Sequence, residues 1–284
     1  MPSVAVIITT YNRPVALDRV LDSVARQHSM PQQVIVADDG SDARTTKVID
    51  SWRQRLDIPL HHVWQPDMGF RAAASRNRAA RDAKADLLLF LDGDCLLRTG
   101  VIAEHLRLAE PGCAVAGNRI LLSPRLTHAV EEGSVDPVGW QYKDWLQARI
   151  NGDVERLSPL VRLPGHAWRR LRASHWLQVR SCNMSVFRED FERINGFEER
   201  ISGWGFEDSD LAIRLINSGV KVKSGRFATA VLHLWHQERA RDHAEHNRQR
   251  ALQAKALQTI QADQGLRQRP LEDRFDPPSA GGGS

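Results

Sequence analysis

The sequence predicts an α/β protein with a mostly parallel sheet flanked by helices, and three observations carry that expectation. Val4-Ala5-Val6-Ile7-Ile8, Val34-Ile35-Val36-Ala37 and Leu87-Leu88-Leu89-Phe90-Leu91 are continuous apolar runs. Strands covered on both faces read this way, because neither face meets water. Segments of helical periodicity separate the runs, as crossovers between parallel strands require. Each run also ends in polar or acidic residues, where open sheets of this kind hold ligands.

Val4 to Thr9 is the first strand. Pro14 suits the first residue of a helix, and Leu17, Val20, Leu21 and Val24 share one face of it. Val34 to Ala37 is the second strand, closed by Asp38-Asp39-Gly40-Ser41, and Val48, Ile49, Trp52 and Leu56 mark a second helix. His61 to Trp64 is expected as the third strand. Arg71 to Ala83 is rich in the strong helix formers Ala and Arg. Leu87 to Leu91 then delivers Asp92. Residues 123–180 read as a less regular insertion, because Pro124, Pro137, Pro159 and Pro164 interrupt the periodicity. Its Trp140, Tyr142, Trp145, Trp168 and Trp176 either pack into the body or form a groove or membrane-contacting surface. Asn183 to Phe187 resumes strand character, and Asp208 to Asn217 is a helix with Gly219 past its end. Phe227 to Trp235 reads as a strand, Arg239 to Asp263 as a long polar helix, and the remainder as a loose tail.

The 284 residues, 42% hydrophobic and 26% charged, fit one large globular α/β domain or two small ones. A net charge of +4 aids solubility and also suits an anionic nucleotide or an anionic membrane surface. Aromatic content is 6% and no RNA- or DNA-binding signature is present, so nucleic acid is not an expected partner. Cys95, Cys113 and Cys182 are odd in number and form no CxxC, which argues against a disulfide framework or structural zinc and for a reducing compartment. No leader-like segment precedes the first strand, and no apolar run reaches the roughly 18 residues of a spanning helix. The expected location is cytoplasmic, with the inner face of the cytoplasmic membrane as an extension of it.

Asp92-Gly93-Asp94 closes the fourth strand. Strand side chains repeat every two residues, so both carboxylates can point the same way, and Gly93 lets a ligand approach the backbone. Hard oxygen donors of this kind suit Mg²⁺ or Mn²⁺, which commonly neutralises a diphosphate. Far downstream lie Trp204-Gly205-Phe206-Glu207-Asp208-Ser209-Asp210, then His233 and His236. This second acidic cluster offers a base, although acids at a helix start also cap it favourably. Thr9 to Pro14 stands where a dinucleotide-binding protein would carry GxGxxG, and that fingerprint is absent.

In combination, Val4 to Pro14, Asp38-Asp39-Gly40-Ser41, Gly69-Phe70-Arg71, Arg76-Asn77 and Asp92-Gly93-Asp94 resemble family 2 of the glycosyltransferases. Asn195-Gly196-Phe197 and Gly203 to Asp210 are similar to the C-terminal half shared by β-1,4-galactosyltransferases and bacterial chondroitin polymerases, and His236-Gln237-Glu238 resembles the HQE ending of the polymerases. The resemblance implies the GT-A fold, a Rossmann-like sheet with a C-terminal acceptor-binding half. It implies inverting, metal-dependent transfer from a nucleotide sugar, usually a UDP-sugar, to a glycan or glycolipid hydroxyl. On this reading Thr9, Tyr11 and Asp39 frame the nucleoside, with Arg13 on the same side. Arg71, Arg76 and Asn77 lie near the base or diphosphate. Asp92, Gly93 and Asp94 hold ribose and metal, with Asp94 the direct ligand and His236, or else His233, completing the shell. Asp208 is the base, Glu207 binds acceptor hydroxyls, and Trp204 with Gly205 forms an acceptor platform.

The family association points to bacterial surface polysaccharide or lipopolysaccharide synthesis. Residues 1–122 are then the nucleotide-sugar half, 123–265 the acceptor and base half, and 266–284 a flexible tail. Arg169, Arg170, Arg172 and Arg180 are expected to meet anionic groups of the acceptor or of lipid. The competing readings are a catalytically silent carbohydrate-binding subunit, which would lack the DxD or the base, and a sugar nucleotidyltransferase, which would carry a Gly- and Lys-rich loop after the first strand.

Overall fold

A computed structural model describes residues 1–165, 167–237, 242–268 and 275–279. The first half alternates β1 (Val4–Thr10), α1 (Pro14–Ala25), β2 (Gln33–Asp38), α2 (Ala43–Arg53), β3 (Leu60–Trp64), α3 (Ala72–Asp82) and β4 (Leu87–Asp92). Then follow β5 (Cys95–Leu97), α4 (Val101–Leu108), β6 (Cys113–Ala116), β7 (Asn118–Leu121), α5 (Pro124–Glu132), α6 (Tyr142–Ile150) and β8 (Asn183–Phe187). The chain continues through α7 (Arg188–Arg193), α8 (Glu207–Asn217), β9 (Lys221–Ser224), β10 (Ala230–His233) and α9 (Ala244–Ala256).

The main sheet has the order β3-β2-β1-β4-β8-β6-β9. β3, β2, β1 and β4 run parallel, whereas β8 is antiparallel to both β4 and β6. The apolar runs are covered on both faces, as expected. Val4, Val6 and Ile8 point into one core layer, and Ala5 and Ile7 into the other. A second sheet, β5-β10-β7, places β10 between its neighbours, with His233 opposite both Cys95 and Leu121. This small sheet carries the site, because it sets a residue from far down the chain beside the end of β4.

Three expectations change. Residues 123–180 hold α5 and α6 along with several single 3₁₀ turns. Pro124, Pro137 and Pro159 sit in the first positions of helical elements, Pro124 behind the Ser123 cap, and so do not break helices, whereas Pro164 lies in an irregular stretch. The strand read over Phe227–Trp235 forms only at Ala230–His233. The short β5, β6, β7 and β9, of three or four residues, are too brief to show a period. The polar helix expected over Arg239–Asp263 forms as α9 only at Ala244–Ala256; residues 239–241 of its expected start lie outside the described residues. In the C-terminal stretch Leu266 packs into the core and Phe275 bridges Trp64; 269–274 and 280–284 lie outside the described residues. No helix among the described residues is long and apolar enough to cross a membrane.

The insertion aromatics divide by burial. Trp145 is buried and meets Trp140 edge-on with ring centroids 4.8 Å apart, both against the layer that covers β1 and β4. Tyr142 is exposed. Trp145→Ala is therefore expected to cost about 3–5 kcal/mol of unfolding free energy. A loss under about 1 kcal/mol in denaturant titration would show that α6 is a surface attachment.

Candidate active site

The carboxyl ends of β1, β2 and β4 converge. Thr9 is in register with Asp92 and Thr10 with Asp38. The Gly93 amide donates to the Thr9 carbonyl at 2.7 Å, and a Cβ on Gly93 would sit 3.0 Å from that oxygen. Glycine thus avoids a tight contact where the two backbones approach.

Arg76 is the hub of the site. Its Nε donates to Thr9 Oγ1 (3.0 Å), its Nη2 donates to Asp92 Oδ1 (2.9 Å), and its Nη1 lies 3.8 Å from Glu207 Oε1. One buried guanidinium therefore ties β1, β4 and α8 together. Burial, with Asp94 and Asp208 nearby and Arg76 opposing, raises Asp92 to about 6. Burial and Asp208 raise Glu207 to about 7, again against Arg76. Asp208 Oδ1 is buried and accepts no hydrogen bond from the described residues. The turn before α8 aims these acids: Gly203 and Gly205 have φ of +73° and +106°, and Phe206 holds φ +70°, left-handed for a bulky residue. Such strain persists where surrounding structure enforces it, often at functional sites. Asn247 of α9 supplies the constraint by donating to the Ser202 and Gly205 carbonyls. The helix that reads in sequence as a long polar element thus pins the turn that carries Glu207 and Asp208.

His233 Nε2 is 3.6 Å from Asp94 Oδ1 and His236 Nε2 is 3.6 Å from Asp94 Oδ2. Both separations are too long for hydrogen bonds, yet suit atoms that share a cation. Asp94, Cys95 and His233 also offer donor atoms within 4.8 Å of one another. Burial lowers His233, opposed by Asp94, which keeps its imidazole neutral and able to ligate. The carboxylate and imidazole donors therefore fit a divalent cation, with Asp94 central and both histidines in reach. Arg13 donates to Asp94 Oδ2 at 2.9 Å and to Glu131 Oε1 at 2.8 Å, which holds a guanidinium against the same carboxylate.

Beyond β2, Asp39 accepts from Gln65 Nε2 (2.6 Å) and from the Arg71 amide (2.7 Å), so its carboxylate is fixed at the strand end. The Tyr11 hydroxyl donates to Asp67 on the rim. Trp204 is partly exposed beside the base-bearing turn.

Several residues stand elsewhere than expected. Asn77 is fully buried: its amide donates to the Phe197 carbonyl and accepts from the Phe197 amide, joining α3 to the Asn195-Gly196-Phe197 turn. Its side-chain amide is thus engaged by that turn. The Arg71 side chain donates to the Pro66 carbonyl, so its backbone is what serves Asp39. Arg169 is 1% exposed and donates to the carbonyls of Leu163, Gly165, Ser224 and Arg226, and Arg170 pairs with Glu110. Arg169 thus ties the insertion to the end of β9 and Arg170 ties it to the turn before β6. Glu238 of the HQE match lies outside the described residues. Glu131, Cys95 and Asn247 were not expected. Only Cys95 carried a sequence signal, by following Asp94 directly.

A family profile described as Glycosyl transferase family 2 matches residues 5–146, and one described as N-terminal domain of galactosyltransferase matches residues 171–237. Validoxylamine A glucosyltransferase of Streptomyces hygroscopicus subsp. limoneus is 35% identical over 236 residues, 80% of this chain and 50% of that protein. Chondroitin synthase of Pasteurella multocida (strain Pm70) is 26% identical over 229 residues, 76% of this chain and 23% of that one. The chain thus spans half or less of the length of these relatives. Among solved structures, mannosyltransferase PcManGT from Pyrobaculum calidifontis, in complex with GDP-Man and Mn2+, has a TM-score of 0.57 at 20% identity, covering 84% of this chain and 58% of that one. S. aureus TarS 1-349 in complex with UDP-GlcNAc has a TM-score of 0.60 at 14% identity, covering 93% and 68%. At these identities the likeness is one of fold, and the fold is GT-A.

Proposed function

This chain belongs to glycosyl transferase family 2, and from that premise we propose that it moves a sugar with inversion from a nucleotide sugar, a UDP-sugar by preference, to a hydroxyl of a glycan or glycolipid. The observation that carries the proposal is the grouping of acids and imidazoles around Arg76 and Asp94. His233 and His236 each come within 3.6 Å of Asp94, and Arg76, which binds Asp92, also feels the charges of Glu207 and Asp208, whose Oδ1 accepts no hydrogen bond from the described residues. A divalent cation at Asp94 would stabilise the negative charge that gathers on the departing diphosphate. Asp208 Oδ1 takes the proton from the acceptor hydroxyl as its oxygen attacks the anomeric carbon from the face opposite the nucleotide. That geometry inverts the centre in one step. Glu207, raised to about 7, retains a protonated fraction near neutrality that can donate a hydrogen bond to an acceptor oxygen. Arg76 holds Asp92 and Glu207 apart from one another and keeps both oriented. Asp39, with Thr9 and Tyr11, frames the nucleoside. Trp204 offers a ring face to a sugar. The likeness to chondroitin synthase supports a glycan as acceptor.

Calorimetric titration of UDP, with and without Mn²⁺, tests the donor reading and its pH dependence together. Below about 6 Asp92 carries a proton in the free protein. A cation beside it must displace that proton, so affinity falls as pH drops. The Mn²⁺-dependent part of UDP binding is expected to strengthen up to about tenfold per unit below that pH and to level off above it. A flat profile would remove Asp92 from the site. UDP binding indifferent to Mn²⁺ would remove the metal.

A further inference from the structure

We propose that the cleft between β7, residues 155–159 and the turn at 224–226 binds a phosphate group carried by the acceptor. The cleft measures about 400 Å³ and is lined by Arg119, Arg156, Arg226 and Glu155, among others. That size lies within the roughly 300–1,000 Å³ of small-molecule sites. Several arginines elsewhere are paired with carboxylates, among them Arg13, Arg26, Arg125, Arg170 and Arg214. The three that converge here pair with no carboxylate among the described residues. Arg119 reaches only the Cys182 thiol, at 3.7 Å, and Arg226 lies over the Phe227 ring. Three arginines and one glutamate among the described residues that line the cleft give it an excess of positive charge in a concave site. That charge matches a phosphate, whose several oxygens accept forked guanidinium hydrogen bonds.

The position of the cleft argues for the acceptor and against the nucleotide. None of the residues around Asp39, Arg76 or Asp94 lines it. It nevertheless adjoins them: Arg119 is in register with Val231, two residues before His233, or about 7 Å along the strand. The negative charge of Asp92 is also felt at Arg119. An acceptor whose hydroxyl meets Asp208 could thus rest a neighbouring phosphate in the cleft. Assigning the phosphate to an acceptor rests on the transferase reading above, whereas the binding itself does not.

Calorimetry with glucose 6-phosphate in EDTA buffer is the test, with glucuronic acid and UDP plus Mn²⁺ as separate arms. Wild type is expected to bind the sugar phosphate with an affinity that weakens as salt rises. Arg156→Gln combined with Arg226→Gln should bind it at least tenfold more weakly and bind UDP with Mn²⁺ unchanged. Glu155→Gln, which only removes a negative charge, should tighten it several-fold. Equal sugar-phosphate affinity in wild type and the double variant overturns the proposal. So does an unchanged affinity in Glu155→Gln, even if the double variant fails to fold. Tighter binding of glucuronic acid than of glucose 6-phosphate overturns the phosphate in favour of a carboxylate. Failure of wild type to bind UDP with Mn²⁺ would instead sink the donor reading and leave the sugar-phosphate result standing.

Discussion

Asp208→Asn is expected to keep Mn²⁺-dependent UDP binding and to lose transfer by about 10²–10⁴-fold, the usual worth of a general base. The amide preserves the size of the side chain at the start of α8, so the Gly205-Phe206 turn and the Asn247 clamp stay in place. What changes is the oxygen that accepts no hydrogen bond from the described residues, since an amide cannot take the acceptor's proton. Two steady-state measurements separate the roles: kcat for transfer should collapse, and UDP affinity should hold. A second effect follows from charge. Asp208 is one reason Glu207 is raised to about 7, so removing its charge should move Glu207 down toward the ordinary carboxylate range. Transfer within a few-fold of wild type would move the base elsewhere, with Glu207 next.

Asp94→Ala is expected to abolish the Mn²⁺-dependent gain in UDP affinity, by more than the roughly 10–100-fold that losing an outer-shell partner costs a metal site. Both histidines face this one carboxylate, His233 at Oδ1 and His236 at Oδ2, so its removal leaves the imidazoles with no shared centre. The fold should survive. Arg13 keeps Glu131 as a partner, and the backbone contact of Gly93 to Thr9 does not involve the Asp94 side chain. The thermal midpoint is expected within a few degrees of wild type. A variant whose UDP affinity still rises with Mn²⁺ would show that Asp94 is not a ligand.

The parts of the site legible in sequence are those that follow strands. Asp39, Asp92 and Asp94 could be placed because a buried parallel strand is a long apolar run and its end is visible where the run stops. The base-bearing turn was legible for another reason: glycines at 203 and 205 flank a Trp and precede paired acids, and both adopt positive φ. Residues read from a motif alone fared less evenly. Arg76 became the hub, whereas its neighbour Asn77 turned inward, because adjacent residues on a helix face about 100° apart. Arg169 shows the same limit. In sequence it belongs to a basic run; in the fold four carbonyl oxygens surround it.

The amino-acid order alone established the parallel half of the sheet, the acids at its edge and the class of chemistry they suit, because these depend on local periodicity and short spacing. Tertiary structure decided which side chains meet across long separations. His233 reaches Asp94 only because β10 pairs with β5. Glu131 reaches Arg13 from α5, and Asn247 fixes a turn more than forty residues before it. The cleft of Arg119, Arg156 and Arg226 likewise gathers three segments with no common motif. Such meetings are set by sheet order and helix packing, and no local pattern records them.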